Sequence, residues 1–276
     1  MTVYAMYFSP TGTTRKIAEA MASRLAELKT PGKAFQTIDF TLKNKREGEP
    51  ATFTDGDWVV FGLPTIAGRV PNVLLKYLDT LKGNGATAVS LVLYGNRAYD
   101  DSLIELSDIL TNKGFWVAAG AAFIGEHSFS KTLAQGRPDE EDLVTARAFA
   151  GQIAAKLLAE GAGSEKGALP VSVKGNRPYR DYYRPKDKNG NTVDIRKVVP
   201  LTLDICTDCK KCVSVCPMDS IDHEDPKKMV GICIKCGACL KVCPVEAKYY
   251  DDENYLKHKR ELEEELTDRK QPELFV

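Results

Sequence analysis

The first 205 residues contain no cysteine, and all eight cysteines of the 276-residue chain lie between Cys206 and Cys243. An excess of charge of one sign is also lacking: 38 basic residues face 38 acidic ones, so no global field favours nucleic acid or anionic lipid as a partner. No apolar run reaches the roughly 18 residues of a membrane-spanning helix, and the first residues lack the pattern of a signal peptide. We therefore expect a protein of the reducing cytoplasm without a transmembrane segment, in which thiols are metal ligands because disulfides do not persist.

The cysteines form two copies of the spacing C-x2-C-x2-C-x3-C-P. Gaps of two residues place three thiolates around one face of an iron–sulfur cubane, and the fourth cysteine of each run is positioned to reach the other cluster. Structural zinc sites also use Cys-x2-Cys pairs, but four zinc ligands leave no reason for the x3 step or for the proline after each run. The sequence therefore predicts one 4Fe-4S cluster on Cys206, Cys209, Cys212 and Cys243, and a second on Cys233, Cys236, Cys239 and Cys216.

Residues 200–250 closely resemble the bacterial two-cluster ferredoxins, through both cysteine runs and the connection between them. That connection, "MDSIDHEDPKKMVGI", alternates apolar and polar residues as the short strands of those proteins do. The resemblance implies a small α+β domain that holds two 4Fe-4S clusters.

At the start of the chain, the apolar run Val3 to Phe8 leads into "SPTGTT" and then into a segment with helical spacing of apolar residues. A strand, a glycine-containing hydroxyl-rich loop and a helix together make an anion site, because amides at the helix start and the positive end of its dipole meet a phosphate. The loop is neither G-x-G-x-x-G nor a Walker loop. A helix cap rich in serine and threonine is the alternative. The candidate phosphate-binding residues are Ser9, Thr11, Gly12, Thr13 and Thr14.

Further apolar runs alternate with helix-like segments, including 73–81, 103–110 and 143–158, and Gly161 suits the end of the last helix. Five strands that alternate with helices predict a doubly wound parallel sheet. A ligand of such a sheet lies beyond the carboxyl ends of the strands, where the winding reverses. Three loops should meet there, namely "SPTGTT", "LPTIAGRVP" (63–71) and "YGNRAYDD" (94–101).

Residues 1 to about 160 resemble the flavodoxins through these same three loops. The resemblance implies that the first loop holds the phosphate of FMN and that the other two flank its isoalloxazine ring. The flanking candidates are Pro64, Thr65, Ile66, Gly68 and Arg69 in the second loop, and Tyr94, Gly95, Asn96, Arg97, Tyr99 and Asp100 in the third.

The second loop departs from many flavodoxins, because Ile66 stands where an aromatic residue stacks on the flavin. Tyr99 is then the residue expected to offer a ring. Arg69 and Arg97 are either solvated or stabilise reduced, anionic FMN. His127, at the end of the fifth strand, is either a satisfied strand-end residue or lines the mouth of the flavin site.

The expected organisation is a flavodoxin-like α/β domain with a five-stranded parallel sheet (1–161), a linker strap (162–199), the ferredoxin domain (200–250) and a charged C-terminal helix (251–276). The strap carries prolines, clustered tyrosines and an excess of basic residues, which favours packing over a flexible tether. A second hypothesis, weaker than packing, is that the strap forms a docking patch for an acidic redox partner.

The combination resembles the flavodoxin-ferredoxin fusion proteins of anaerobic bacteria and archaea. FMN takes one or two electrons and a cubane passes one, so we expect an electron relay whose partners are other redox proteins. The alternative is an FMN-dependent reductase of a small molecule that the clusters feed. No catalytic acid or base and no fingerprint for a nicotinamide dinucleotide is visible, so the relay is favoured.

Overall fold

The structure is a computed structural model that describes residues 1–159 and 170–276. Its N-terminal part alternates strands with helices, as the apolar runs predict. The elements of this part are β1 (Val3–Tyr7), α1 (Thr13–Lys29), β2 (Gln36–Asp39), β3 (Trp58–Pro64), α2 (Leu75–Leu78), β4 (Thr87–Tyr94), α3 (Ser102–Asn112), β5 (Trp116–Ile124) and α4 (Glu140–Ala159). Gly161, expected to end the last helix, and the boundary expected after residue 161 lie outside the described residues.

Five strands are parallel neighbours in the order β2-β1-β3-β4-β5. This is the flavodoxin-like order of a doubly wound sheet, in which the winding reverses between β1 and β3. Strand β4 is buried along its whole length, as expected of a central parallel strand covered on both faces. The predicted five-stranded sheet is confirmed, and the three predicted loops follow the carboxyl ends of β1, β3 and β4.

Apolar cores lie on both faces of the sheet. On one face, α1 and α4 pack against it through side chains that include Ile17 and Phe149. On the other face, α3 packs through Leu103 and Leu106. The helix expected over 73–81 is shorter, because a 3-10 turn comes first and α2 spans a single turn.

The described part of the strap, residues 170–199, packs on the loops that follow β3 and β4. The backbone N–H groups of Asn176 and Arg180 donate to the carboxylate of Asp101 at 3.0 and 2.7 Å. The Tyr182 hydroxyl donates to a backbone carbonyl of the loop after β3 at 2.8 Å. These contacts are those of a packed strap rather than of a free tether.

The rest of the chain forms a small α+β unit followed by a tail that returns to the sheet. Its elements are β6 (Leu201–Thr202), α5 (Lys211–Ser214), α6 (Ala238–Val242), β7 (Lys248–Tyr249), α7 (Glu253–Glu265) and β8 (Glu273–Phe275). Strands β6 and β7 pair antiparallel. The charged helix expected over 251–276 is shorter than predicted, because α7 begins at Glu253 and ends at Glu265. Strand β8 then pairs antiparallel with β5 and covers an otherwise open edge of the sheet.

None of the helices in the described residues is both long and apolar enough to cross a membrane.

Candidate functional site

The first predicted loop joins the carboxyl end of β1 to the start of α1. Gly12 occupies the N-cap with a φ of +82°, a left-handed conformation that glycine adopts without strain. A hydroxyl cap would place serine or threonine at this position. Instead, the Ser9 hydroxyl accepts from the backbone N–H of Arg15 at 3.0 Å, farther into the helix. The Ser9 hydroxyl thus caps the first turn, while glycine at the N-cap leaves room for close approach of an anion, so the loop geometry fits both predicted interpretations.

Two buried oxygen atoms in the predicted loops lack hydrogen-bond partners among the described residues. They are Oγ1 of Thr14 in the first loop and Oδ1 of Asn96 in the third. Thr14 is only 1% exposed, so water cannot readily satisfy its hydroxyl. A buried polar atom without a partner costs about 1–3 kcal/mol, which a bound ligand would offset. Both orphaned atoms therefore fit a ligand held by these loops.

The second loop folds back on itself in a tight turn. The backbone groups of Ile66 and Arg69 exchange two hydrogen bonds of 3.1 Å, with Ala67 and Gly68 at positive φ between them. A Cβ on Gly68 would lie 2.2 Å from a carboxylate oxygen of Asp100. The second and third loops are thus in direct contact, as the expected flavin site requires.

Helix α3 and the strap hold the side chain of Arg69. Its Nε donates to Glu105 in α3 at 2.7 Å, and its guanidinium lies 4.7 and 5.0 Å from the ring centres of Tyr179 and Tyr182 in the strap. The hydrogen bond to Glu105 raises the pKa of Arg69. The side chain of Arg69 therefore joins the second loop to α3 and the strap, which argues against both predicted roles, a solvated arginine and a contact with reduced FMN.

The third loop is held by the C-terminal tail. The side-chain amide of Asn96 donates to the carbonyls of Leu266 and Asp268 at 2.9 and 3.0 Å. Arg97 pairs with Asp100, and its guanidinium lies 4.2 Å from the ring centre of Tyr183. Arg97 thus has partners within the protein as well.

Tyr99 is buried and hydrogen-bonded within the protein. Its side chain is 4% exposed, its ring lies 5.5 Å from that of Tyr94, and its hydroxyl donates to Glu273 of β8 at 2.8 Å. The sequence could not show this, because Glu273 lies 174 residues farther along the chain. Its burial and its bond to Glu273 argue against the stacking role expected of Tyr99.

His127 is both satisfied and close to the predicted site. Its Nδ1 accepts from the backbone N–H of Phe129 at 3.1 Å. Burial, followed by the charge of His258, lowers the pKa of His127 to about 4, so the imidazole is neutral at pH 7. A Cβ on Gly95 would lie 2.4 Å from its Cδ2, so the imidazole packs directly against the third loop. Phe129 had not been singled out in the sequence.

The eight cysteines line two separate cavities in the small unit. One cavity, with about 350 Å³ of space, includes Cys216, Cys233, Cys236 and Cys239. The other, with about 320 Å³, includes Cys206, Cys209, Cys212 and Cys243. These are the two predicted ligand sets, and each takes its fourth cysteine from the other run. In the described residues, no three His, Cys, Asp or Glu side chains converge on a point that could hold a single metal ion. Four cysteines drawn from both runs in each cavity fit the ligand set expected of a 4Fe-4S cluster.

The two cysteine sets share a local design. The last cysteine of each run accepts a backbone N–H four residues later, from Ser220 to Cys216 at 3.3 Å and from Ala247 to Cys243 at 3.2 Å. Burial raises the pKa of Cys236 to about 12. Such a thiol becomes a thiolate only when a metal compensates its charge, as cluster iron would.

Comparisons with known proteins agree with this division of the chain. Residues 199–244 match the family described as a 4Fe-4S dicluster domain, and no curated protein matches the chain. Among solved structures the chain is similar to a flavodoxin from the domain Archaea, with 19% identity over 57% of this chain and 99% of that one, at a TM-score of 0.40. Flavodoxin 1 from Bacillus cereus in its oxidised form is 17% identical over 56% of this chain and 98% of its own, also at 0.40.

A third similar structure is the rubredoxin oxygen:oxidoreductase of the anaerobe Desulfovibrio gigas, 19% identical over 59% of this chain and 37% of that one, with a TM-score of 0.40. The strand order, rather than these distant likenesses, establishes the flavodoxin-like fold. The chain is therefore a fusion of a flavodoxin-like domain with a ferredoxin-like dicluster segment.

Proposed function

We propose that the chain is an electron-transfer protein that binds FMN and two 4Fe-4S clusters and relays electrons between them and a partner protein. The observation that carries this proposal is the pair of four-cysteine cavities beside a flavodoxin-like sheet whose phosphate-type loop has an orphaned buried hydroxyl. The partner is a redox protein, and eight cysteines that serve as cluster ligands rather than as disulfides suit the reducing cytoplasm of a cell that lives without oxygen.

In this proposal, residues of the first loop bind the phosphate of FMN through backbone amides and hydroxyls. The second and third loops flank the isoalloxazine ring with their backbone and with side chains other than Tyr99. Arg69 and Arg97 act indirectly by fixing these loops against α3 and the strap. Cys206, Cys209, Cys212 and Cys243 hold one cluster, and Cys233, Cys236, Cys239 and Cys216 hold the other.

Bound FMN exchanges one or two electrons while each cluster passes one, so the cofactors together convert between two-electron and one-electron transfer. The protein binds the cofactors, orients them and keeps them a short distance apart. Because both units belong to one chain, the sites stay at a high effective concentration without a diffusional encounter.

The composition of protein purified without oxygen tests the proposal. We expect about eight iron atoms and eight acid-labile sulfides per chain, as two clusters require, and one FMN released on denaturation. Stoichiometric zinc without sulfide would exclude the cluster assignment. Purified protein with the full iron content but no flavin would be an iron–sulfur protein only, and this result would exclude the relay.

Kinetics test the relay itself. After rapid mixing with a one-electron donor that reduces flavin slowly when the clusters are absent, flavin reduction should proceed at a rate independent of protein concentration. A rate that rises linearly with protein concentration would show that electrons pass between molecules instead.

A further inference from the structure

Four aromatic side chains lie in sequence between the third loop and a cysteine ligand. The imidazole of His127, which abuts Gly95, is 5.2 Å from the ring of Phe129. The Phe129 ring lies 4.5 Å from that of Tyr255, and the Tyr255 ring 4.2 Å from that of Tyr250. We call these four residues the ring chain.

The last member of the ring chain reaches a cysteine. The hydroxyl oxygen of Tyr250 lies 4.0 Å from Sγ of Cys233. Tyr250 is 7% exposed and Tyr255 is 1% exposed, so this end of the ring chain is closed to water. The rings therefore provide continuous, densely packed material from one unit to the other.

The cavity of the Cys233 set is also the one at the contact between the two units. A Cβ on Gly237, between Cys236 and Cys239, would lie 2.5 Å from the carbonyl oxygen of Ser128. Ile234, next to Cys233, packs against the core of the flavodoxin-like domain.

On its other side, this cavity is fixed by an arginine. Arg46, in the loop after β2, donates to the carbonyl of Pro217 at 2.6 Å, directly after Cys216. All four cysteines of the set thus lie in segments that the flavodoxin-like domain contacts.

The Cys206 set differs from the Cys233 set in its exposure. Residues of the small unit line both cavities, from 202 to 248 and from 200 to 250. Among the eight cysteines, all of them in the described range, Cys209 of the Cys206 set is the one that is exposed, whereas Cys212 is buried. The Cys206 set therefore reaches the surface at Cys209.

We propose that the ring chain is the path by which electrons cross between the units, with the Cys233 set as the inner site and the Cys206 set as the outer site. The inference rests on the proposed function. A low-potential one-electron donor reduces the outer site, the electron passes to the inner site, and then through the rings to the flavin. Each crossing oxidises the inner site by one electron and reduces the flavin by one. Two crossings, with protons from water, complete the reduction. The rings are not oxidised themselves, because they act as the packed medium between the sites.

The first test removes a ring and leaves every cysteine in place. Tyr255→Leu deletes the central ring. With a one-electron donor that reduces flavin slowly when the clusters are absent, we expect flavin reduction to slow by about tenfold or more at normal iron and flavin content. Tyr255→Phe keeps the ring and loses only a hydroxyl that has no partner, so its rate should match wild type. Tyr249→Leu removes a neighbouring half-buried tyrosine that takes part in none of the ring contacts found in the described residues, and it too should match.

The second test asks which site lies next to the flavin without measuring turnover. A nearby cluster quenches flavin fluorescence, so Cys236→Ser, which disables the inner site, should increase the emission. Cys209→Ser, which disables the outer site, should leave it unchanged. Equal emission in the two variants at matched flavin content, or a larger increase in Cys209→Ser, would overturn the order of sites.

Failure of this inference differs from failure of the proposed function. Wild-type protein without flavin or iron would remove the proposed function. Fully loaded Tyr255→Leu protein that reduces flavin at the wild-type rate would overturn the ring chain alone. If a cysteine variant loses all of its iron, the comparison of Tyr255→Leu with Tyr249→Leu still tests whether electrons cross through the ring chain.

Discussion

The guanidinium of Arg69 and the carboxylate of Glu105 form a two-point ion pair, with Nε to Oε2 at 2.7 Å and Nη2 to Oε1 at 2.8 Å. The Glu105 side chain is 5% exposed and also accepts the backbone N–H of Val70 at 2.8 Å. A buried carboxylate of helix α3 thereby fixes the second loop from both its backbone and its side chain. The ion pair is what connects the candidate flavin site to the packing of the sheet.

Loss of Arg69 alone should destabilise the protein strongly. Arg69→Leu leaves the buried Glu105 charge uncompensated, and breaking a buried pair in this way costs about 3–5 kcal/mol. The double variant Arg69→Leu/Glu105→Leu removes both charges and should recover part of that loss. Urea denaturation, followed through flavin release, measures both effects.

The single variant Glu105→Leu separates a structural role from a direct one, because it removes the partner and leaves the guanidinium in place. If Arg69 acts by fixing the loop, Glu105→Leu should lower FMN affinity about as much as Arg69→Leu does. Full FMN affinity in Glu105→Leu with low affinity in Arg69→Leu would mean that the guanidinium itself contacts the flavin.

Thr14→Val tests the phosphate loop without disturbing the backbone. Valine has the shape of threonine and removes only Oγ1, which is buried without a partner, so the flavin-free protein should be no less stable. A hydrogen bond to a charged acceptor is worth about 1.5–3 kcal/mol, so FMN should bind roughly ten- to a hundredfold more weakly. Fluorescence titration of the flavin-free protein with FMN gives the dissociation constant.

Thr30→Val is the matched control at the opposite end of α1. The Thr30 hydroxyl donates to the carbonyl of Ala26 at 3.2 Å, away from the phosphate loop. This variant should lower helix stability slightly and leave FMN affinity unchanged. If Thr14→Val binds FMN as tightly as wild type, the first loop is only a helix cap.

Local patterns in the sequence were enough to predict the five parallel strands, the three loops and the two cysteine sets. Strand and helix periods, glycine positions and fixed cysteine spacings are all signals within a short stretch of chain. The cysteine sets were accessible for a further reason, because the exchange of the fourth ligand follows from the spacing itself.

Side-chain partners across the fold could not be predicted in the same way. Tyr99 looked like a flavin-stacking residue because it lies in the right loop, but its partner Glu273 belongs to a three-residue strand at the far end of the chain. A strand so short in a charged tail has no period to detect. The ring chain brings together Phe129 and Tyr255 from separate units, and no local pattern links them.

Arg46→Met should loosen the contact between the two units. The guanidinium donates to the carbonyls of Phe40, Thr41 and Pro217 at 2.9, 2.5 and 2.6 Å, and methionine makes none of these hydrogen bonds. Hydrogen bonds from a charged donor are worth about 1.5–3 kcal/mol each, and Arg46 is partly buried, so the contact between the units should lose a few kcal/mol of stability. Hydrogen–deuterium exchange should increase in residues 216–221 and in 40–46.

Lys45→Met is the control for that experiment, because Lys45 is an exposed neighbour in the same 3-10 turn. It should leave exchange in residues 216–221 at the wild-type level. Equal exchange in Arg46→Met and wild type would mean that other contacts, such as Gly237 against Ser128, are sufficient to hold the units together.

Stability should fall as the pH is lowered from about 8 to 5.5, partly because of His127. Burial lowers its pKa from 6.5 to about 4, with His258, Arg97 and Lys241 as the charged or titratable groups that add to the shift. Between these two pKa values the unfolded chain binds a proton that the folded protein does not, so the free energy of unfolding rises with pH in that window. The contribution is complete above pH 6.5 and is lost progressively as the pH falls towards 4.

His127→Gln isolates this effect, because glutamine is neutral throughout. At pH 5.5 wild type should already have lost about 1 kcal/mol through His127, and the variant should lack that part of the pH dependence. His223→Gln is the control, since His223 is exposed and pairs with Asp219 at the surface. Urea denaturation of all three proteins at about pH 8 and 5.5 gives the comparison. If the His127 variant keeps the full wild-type slope while the His223 variant loses it, protonation of an exposed histidine accounts for the pH dependence and the buried imidazole does not.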